Sequence, residues 1–189
     1  MNKLLLFLIF LPISTLCQIN PINFETSGNG SNWSWVVFEN DDNPNLDIIN
    51  NPDPNGINTS ITVAKFTARE NGQPWAGCES LHGSDIGAFS LDSSNCIIKI
   101  MVYKSKISDV GIKFVDPTSA AQPEIKVSNS IVNQWEELTF DFSSRIGVFP
   151  INKDQIVVFP DFDLNGRNED QIILFDNITF SSYNNDYTW

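Results

Sequence analysis

Turn-forming residues recur about every ten positions along this chain, and they constrain its fold more than any other feature. Clusters rich in Asn, Asp, Gly and Pro stand at 27–30, 41–44, 51–56, 71–74 and 165–166. The runs between them are short and either apolar or alternating, and none shows helical periodicity. The pattern predicts an all-β fold built from short antiparallel strands, either a sandwich or a barrel.

The run 135–142 indicates how a strand divides between core and surface. Successive side chains of a strand point to opposite faces, so Leu138, Phe140 and Phe142 share one apolar face. The opposite face is polar apart from Trp135. This second face is predicted to be either a solvent surface or a platform for a ligand.

The N-terminal residues are typical of a secretory signal peptide. Lys3 precedes an apolar run, 4–13, that is too short to span a bilayer, and small residues follow near Cys17. We expect cleavage after Cys17 rather than acylation of Cys17, because Leu16 is larger than the residue normally found before a lipidated cysteine. The mature protein is therefore expected to be secreted or periplasmic, without membrane insertion.

The rest of the chain is long enough for one domain with its own core. We predict a signal peptide over 1–17, a single β-sandwich domain over 18–182 and a polar tail over 183–189. No second domain, internal repeat or linker interrupts the middle segment, and the domain is expected to be monomeric.

Charge and histidine content exclude several functions. The formal net charge is −12, which argues against nucleic acid and anionic membrane surfaces as partners. The chain holds 1 histidine, so sites that need two imidazoles are excluded.

Cys78 and Cys96 remain after the leader is removed. An even pair of cysteines in an exported protein predicts one disulfide, which would contribute roughly 3 kcal/mol. The alternative is two buried free thiols that pack as small apolar residues.

Motifs at 23–25, 51–77, 134–142 and 174–180 follow one another in a recognisable order. Their order resembles that of the jelly-roll carbohydrate-binding modules found attached to, or encoded beside, secreted bacterial polysaccharide-degrading enzymes. The resemblance covers the chain from about residue 23 to 180, and its most specific part is the central stretch that ends in Pro-Trp-Ala-Gly. It implies a jelly-roll antiparallel β-sandwich that binds polysaccharide, with β-glucans as the favoured class.

Sugar rings stack their C–H faces on exposed aromatic side chains, while polar neighbours take the hydroxyls. Trp75 is the best candidate platform, because it follows Pro74 in a polar loop and small Ala76 and Gly77 follow it. A tryptophan at this position can equally fill the core beneath its loop. The full set of predicted sugar-binding residues is Trp75, Trp35, Trp135, Gln73, Glu79 and Glu137.

The resemblance also implies a structural Ca²⁺ held by Glu25 from an early strand and Asp176 from the last strand. The alternative is a pair of exposed or hydrogen-bonded carboxylates. A second acidic stretch, 161–170, imitates a calcium loop, but Ile172 stands where an EF-hand supplies its closing glutamate. We predict that this stretch is a solvated hairpin loop.

Evidence for catalysis in the sequence is weak. Glu136 and Glu137 are adjacent on a strand and face opposite ways, so they cannot act as a carboxylate pair. His82 has no nucleophile elbow near it, and Tyr103 is the other obvious base. We predict a non-catalytic binding domain. A lyase or glycoside hydrolase on the same scaffold is one alternative, and an envelope or adhesion sandwich without a sugar site is another. Burial of both Trp75 and Trp135 would favour the adhesion alternative.

Overall fold

A computed structural model describes residues 18–183, so the predicted leader over 1–17 and residues 184–189 of the predicted tail lie outside the described residues. No helix within the described part is long and apolar enough to cross a membrane. The strands are β1 (Val36–Phe38), β2 (Asp47–Asn50), β3 (Thr62–Ala68), β4 (Gly77–Glu79), β5 (Phe89–Ser90), β6 (Ile97–Lys104), β7 (Asp109–Val115), β8 (Ile125–Ser128), β9 (Trp135–Asp141), β10 (Asn152–Lys153), β11 (Gln155–Phe162) and β12 (Gln171–Ser181).

The long strands form two antiparallel sheets. The front sheet has the order β1-β4-β11-β7-β8, and the back sheet has the order β2-β3-β12-β6-β9. Strands β5 and β10 pair as a small ribbon, and a 3₁₀ turn covers Ser143–Arg145. Taking the two large sheets alone, the chain crosses from one to the other after β1, β3, β4, β6, β8, β9 and β11, as in a jelly roll. The predicted all-β sandwich is confirmed.

The core lies between the inner faces of the two sheets. Leu138, Phe140 and Phe142 are buried there as the alternation predicted. Phe175 and Phe24 meet edge to face near its centre, with ring centroids 5.4 Å apart. The front sheet therefore has an inner face committed to packing and an outer face that is free for other roles.

The predicted disulfide is wrong in this structure. Cys78 lies in β4 of the front sheet and Cys96 directly precedes β6 of the back sheet, and both are free and fully buried. Burial, with a contribution from the Glu79 carboxylate, raises the pKa of the Cys78 thiol. The alternative of buried thiols is the one observed.

The predicted hairpin over 161–170 is also corrected. This segment leaves β11 in the front sheet and enters β12 in the back sheet, so it joins two sheets instead of two neighbouring strands. Asp161 and Asp163 are buried at its start rather than solvated. Asp161 forms an ion pair with Arg167, and Asp163 forms one with Lys106. These ion pairs stabilise one end of the sandwich.

Candidate functional site

The outer face of the front sheet carries a second set of aromatic side chains. Val158 and Ile156 of β11 point into the core, so Phe159 and Val157 point outward. Phe159 lies opposite Gly111 of β7. A Cβ at Gly77 or Gly111 would lie 3.2 or 3.1 Å from the Phe159 ring, so both positions leave room for the ring to lie against the sheet.

Two further phenylalanines flank this ring. Phe38 lies 5.8 Å from Phe159 and Phe162 lies 5.7 Å from it, measured between centroids, and both pairs meet edge to face. Phe159 is almost fully buried, while Phe38 and Phe162 are partly exposed. We call Phe38, Phe159 and Phe162 the outer aromatic cluster. Together with the outward-facing Val115 and Val157 it forms an apolar strip, in which Phe38 and Phe162 are the rings with exposed surface.

An open depression of about 360 Å³ adjoins the Phe162 end of this cluster. Lys126 places its ammonium 4.2 Å from the Phe162 ring centroid. Asp109 and Ser128 share the wall and are joined by a 2.6 Å hydrogen bond from the Ser128 hydroxyl. The depression therefore combines an aromatic edge with donors and acceptors, as sugar-binding clefts do.

Trp75 stands in the loop that leads into β4 and is 41% exposed. The backbone of this loop is held from several directions. Arg167 donates to the Gln73 carbonyl at 3.0 Å, and the Asp163 amide donates to the Pro74 carbonyl at 3.1 Å. The backbone N–H of Gln73 donates to the Glu39 carbonyl at 2.7 Å. An exposed indole on a fixed loop is available for stacking with little ordering cost.

A buried ionic cluster supports these loop contacts. The Arg167 guanidinium donates to Asp161 at 2.7 Å, and the Lys104 ammonium lies 3.5 Å from the other oxygen of that carboxylate. Ser108 also donates to Asp161. Burial opposes ionisation of Asp161, but the Ser108 hydrogen bond and the two cations hold its pKa below the usual range. We call Lys104, Ser108, Asp161 and Arg167 the clamp.

Segment 73–79 brings together three of the predicted sugar-binding residues. Gln73 and Trp75 are exposed in the loop. Glu79 lies on β4 and points to the outer face of the front sheet, because its neighbour Cys78 points into the core. Glu137 lies instead on β9 of the back sheet, where it forms an exposed 2.6 Å ion pair with Lys99. The structure does not bring Glu137 to this face.

Trp135 is corrected from a platform to a buried residue. It faces outward from the back sheet, as predicted, but the segment 51–53 covers it and leaves 6% exposed. Its indole N–H donates to the Asp53 carbonyl at 3.0 Å, and Tyr103 packs against its ring. A ligand cannot stack on this ring while the segment stays in place.

Trp35 is half-buried and belongs to the packing of the N-terminal segment. Its ring stacks on Trp33 at 5.7 Å and contacts Phe24 at the same centroid distance. Its indole N–H donates to the Gly30 carbonyl at 2.9 Å. The structure therefore does not place Trp35 with Trp75.

Glu25 and Asp176 lie in one polar cluster on the back sheet. The pairing of β12 with β6 shifts register after Asp176. Ile178 of β12 then forms a β-bridge with Ile22, so the N-terminal segment that carries Glu25 lies beside β12. Asp176 is fully buried, and its Oδ1 has no hydrogen-bond partner. Burial raises the pKa of Asp176 to about 6, and the Glu25 carboxylate adds to this rise.

The other groups around Asp176 bear on a cation site. The Glu25 carboxylate accepts from the Ile61 amide at 2.6 Å, and Asn58 is buried nearby with its side-chain N–H₂ unpartnered. No group of three or more His, Cys, Asp or Glu side chains able to hold a metal occurs within residues 18–183. Calcium is coordinated by about six to eight oxygens. Glu25 and Asp176 would supply carboxylate ligands to such an ion, and the unpaired Oδ1 of Asp176 is the oxygen left without a protein donor.

The residues weighed for catalysis are not brought together. His82 follows β4 on the front sheet, and its Nδ1 lies 2.7 Å from Asp154. Tyr103 lies on β6 of the back sheet, beside Trp135. Two serines lie two positions from His82 in sequence: Ser80 is buried and accepts from the Ile156 amide, and Ser84 is exposed.

The outer aromatic cluster was missed by the sequence analysis. Phe159 and Phe162 are three positions apart, so strict alternation would place them on opposite faces. A register shift between them pairs Phe159 with Gly111 and Phe162 with Asp109, and it turns both rings outward. A Pro within the strand, at position 160, was the available sign of this irregularity.

Comparisons with known proteins bear on the fold. No protein-family model and no curated protein matches the sequence. The structure is similar to a single-residue variant of a family 29 carbohydrate-binding module, with a TM-score of 0.53, 12% identity and coverage of 88% of this chain and 94% of that one. The predicted likeness to carbohydrate-binding modules is confirmed at the level of the fold.

Parts of two enzymes have a similar fold. One is an arabinose-bound GH51 α-L-arabinofuranosidase, with a TM-score of 0.60, 11% identity and coverage of 87% of this chain and 26% of that one. The other is an exo-β-agarase, with a TM-score of 0.59, 7% identity and coverage of 87% and 25%. The chain thus spans about a quarter of each enzyme.

Proposed function

We propose that this protein binds polysaccharide without cleaving it, on the outer face of the front sheet and on the adjoining Trp75 loop. One observation carries the proposal. An indole that is 41% exposed is fixed on a hydrogen-bonded loop at the end of a sheet face that already holds the outer aromatic cluster. A sugar chain offers apolar C–H faces of the size that such rings cover.

The polar residues around these rings suit hydroxyl groups. Gln73 and Glu79 flank Trp75 along the chain, and Asp109 and Ser128 wall the depression beside Phe162. Among neutral glycans we propose β-glucans first, because the sequence resemblance favours them. The likeness to solved carbohydrate-binding modules supports this scaffold as one that can present such a site.

We also propose a structural Ca²⁺ at Glu25 and Asp176. The unpaired, buried Oδ1 of Asp176 supports it, since a cation would satisfy an oxygen that no protein donor reaches. A bound Ca²⁺ would fasten the N-terminal segment to β12 and would supply stability rather than chemistry. The proposed setting is outside the cytoplasm, with 1–17 as the leader.

The proposed function is tested by affinity electrophoresis of the chain from Gln18 onward. The gels contain laminarin, mixed-linkage glucan, xylan, alginate or pectin, and release of reducing sugar is measured in parallel. We expect retardation in at least one gel without sugar release. Trp75→Ala should abolish retardation, and Glu137→Ala, an exposed change on the back sheet, should leave it unchanged. A folded protein that is retarded in no gel contradicts glycan binding, and sugar release contradicts a non-catalytic role.

A further inference from the structure

We infer that the outer face of the front sheet selects an anionic glycan, a sugar chain bearing carboxylate or sulfate groups, and binds those groups with Lys113 and Lys126. This inference rests on the proposed glycan binding and moves the favoured ligand from neutral β-glucans to anionic glycans.

Most cations of the described chain have a carboxylate partner. A carboxylate oxygen lies within 4.0 Å of a side-chain nitrogen in Lys65, Arg69, Lys99, Lys104, Lys106 and Arg167. Asp and Glu number 23 in the sequence against 11 Lys and Arg, so a surface cation readily finds a partner. Within residues 18–183, the Lys and Arg side chains without such a partner are Lys113, Lys126, Arg145 and Lys153.

Lys113 and Lys126 both stand on the proposed binding face. Lys113 lies on β7 with its ammonium 5.4 Å from the Phe159 centroid, and Lys126 lies on β8 over Phe162. Lys126 pairs with Gly111, two residues before Lys113 on the neighbouring strand. This diagonal relation puts the two positions about 7–8 Å apart, a separation that one or two sugar units can span.

The other two unpaired cations do not form a competing site. Arg145 donates to Gln122, and the buried Lys153 donates to the Pro150 carbonyl. The cavity that they line together with Lys113 is about 10 Å³, room for no more than one water molecule. A sugar carboxylate does not fit there.

Two carboxylates lie near the lysines on this face. Asp109 shares the wall of the depression with Lys126. The Glu124 side chain approaches Gly111, which pairs with Lys126. Glu79 lies on β4, and β11 runs between it and Lys113, with Val157 opposite both residues. Asp109 already accepts the Ser128 hydroxyl. Within the described chain, the nearby carboxylates of Asp109 and Glu124 form no ion pair with either lysine, so both ammonium groups remain available to an anion.

The overall charge of −12 does not prevent this binding. Charges beyond about 8 Å are largely screened at physiological ionic strength, so the lysines that touch the ligand dominate. The Lys126 ammonium covers the face of the Phe162 ring, so a sugar that packs at the exposed edge of this ring would bring its carboxylate or sulfate beside the ammonium. The aromatic strip and the cations would then act on the same sugar unit.

The test compares matched charged and neutral ligands by isothermal titration calorimetry. Polygalacturonate is paired with its carboxyl-reduced form, and carrageenan is paired with its desulfated form. We expect at least one anionic member to bind tenfold or more tightly than its neutral partner, and its affinity to fall as salt is raised. The double substitution Lys113→Gln and Lys126→Gln should abolish this preference. Lys126→Gln alone should remove most of it. Lys99→Gln, which changes a paired lysine on the back sheet, should keep it.

The outcomes separate the two proposals. Equal binding of charged and neutral partners, or a preference that survives the double substitution, overturns the anionic ligand class and leaves glycan binding standing. Absence of binding to all four ligands and to the neutral glucans overturns both. A carboxylate-only or sulfate-only preference supports the inference and identifies the group.

Discussion

The role of each tryptophan in this protein is set by what surrounds its ring. Trp75 is exposed at the end of the front sheet, Trp135 is covered by the segment 51–53, and Trp35 is packed against Trp33. Alternation along a strand correctly placed Trp135 on an outer face. It could not show that a loop distant in sequence closes over that face, because this depends on tertiary packing.

Exposure predicts different effects for two substitutions. Trp75→Ala should lower the free energy of unfolding by about 1–2 kcal/mol, because 41% of the side chain is in solvent and the rest is packed, and should weaken glycan binding at least roughly tenfold. Trp135→Ala should cost about 3–5 kcal/mol, because it empties a buried site and leaves the Asp53 carbonyl unpaired. Urea denaturation and titration calorimetry measure both. A loss of stability for Trp75→Ala as large as that for Trp135→Ala would assign Trp75 to the core instead.

Calcium should act on stability through Asp176. Its folded pKa of about 6 lies above the unfolded value, so without metal the favourable contribution holds below about pH 4 and is lost as pH rises through 6. At pH 7 the buried anion then costs roughly 3 kcal/mol. We expect Ca²⁺ to raise Tm at pH 7 and EDTA to lower it.

The matched variants are Asp176→Asn and Glu137→Gln. Asp176→Asn should stabilise the metal-free protein at pH 7 and abolish the response to Ca²⁺, since it removes the buried charge. Glu137→Gln, an exposed change on the same sheet, should keep that response. A Tm that is unchanged by Ca²⁺ and EDTA in the wild type would contradict the metal site.

At the scale of elements, the crossing from β11 to β12 organises the proposed site. The bulge in β11 turns Phe159 and Phe162 to one face, and the segment that follows supplies the clamp and the contacts to the Trp75 loop. The sequence predicted β11 and β12 as strands but not that they belong to different sheets. Turn residues alone do not distinguish a hairpin from a crossing between sheets, because both need the same reversal of direction.

Breaking the clamp should be costly and should change the acid sensitivity of the protein. Asp161→Asn leaves Lys104 and Arg167 buried without their carboxylate, so we expect a loss of about 3–5 kcal/mol at pH 7. The depressed pKa of Asp161 stabilises the fold above about pH 4, and this stabilisation is lost as pH falls through the folded pKa.

Denaturation at pH 7, 5 and 3.5 measures both effects. The difference between wild type and Asp161→Asn should shrink only at the lowest pH. The control is Asp170→Asn, which removes an exposed partner of Arg69 and should cost less than about 1 kcal/mol. Equal costs for the two substitutions would show that the clamp adds no more than a surface ion pair.

At the scale of the whole molecule, the sandwich depends on burial and not on a covalent link between its sheets. Strand spacing and alternation were sufficient to predict this architecture, since every strand must bury one face. The cysteine pairing was not predictable in the same way. Chain position does not show whether two buried side chains meet, and Cys78 and Cys96 belong to opposite sheets.

Reduction should therefore leave stability unchanged. We expect the same Tm with and without dithiothreitol, and slow modification of both thiols by a thiol reagent until the protein unfolds, because both are fully buried. A loss of about 3 kcal/mol on reduction would instead reveal a disulfide.

The location of the glycan site is tested most directly by amide chemical shifts of the ¹⁵N-labelled protein during titration with a retarded polysaccharide fragment. Binding on the outer face of the front sheet should shift amides in 73–79, 109–113, 126–128 and 159–165. The amides of 99–103 and 135–141 on the back sheet should stay unchanged. Shifts confined to the back sheet would contradict the proposed site, even if the protein binds glycan.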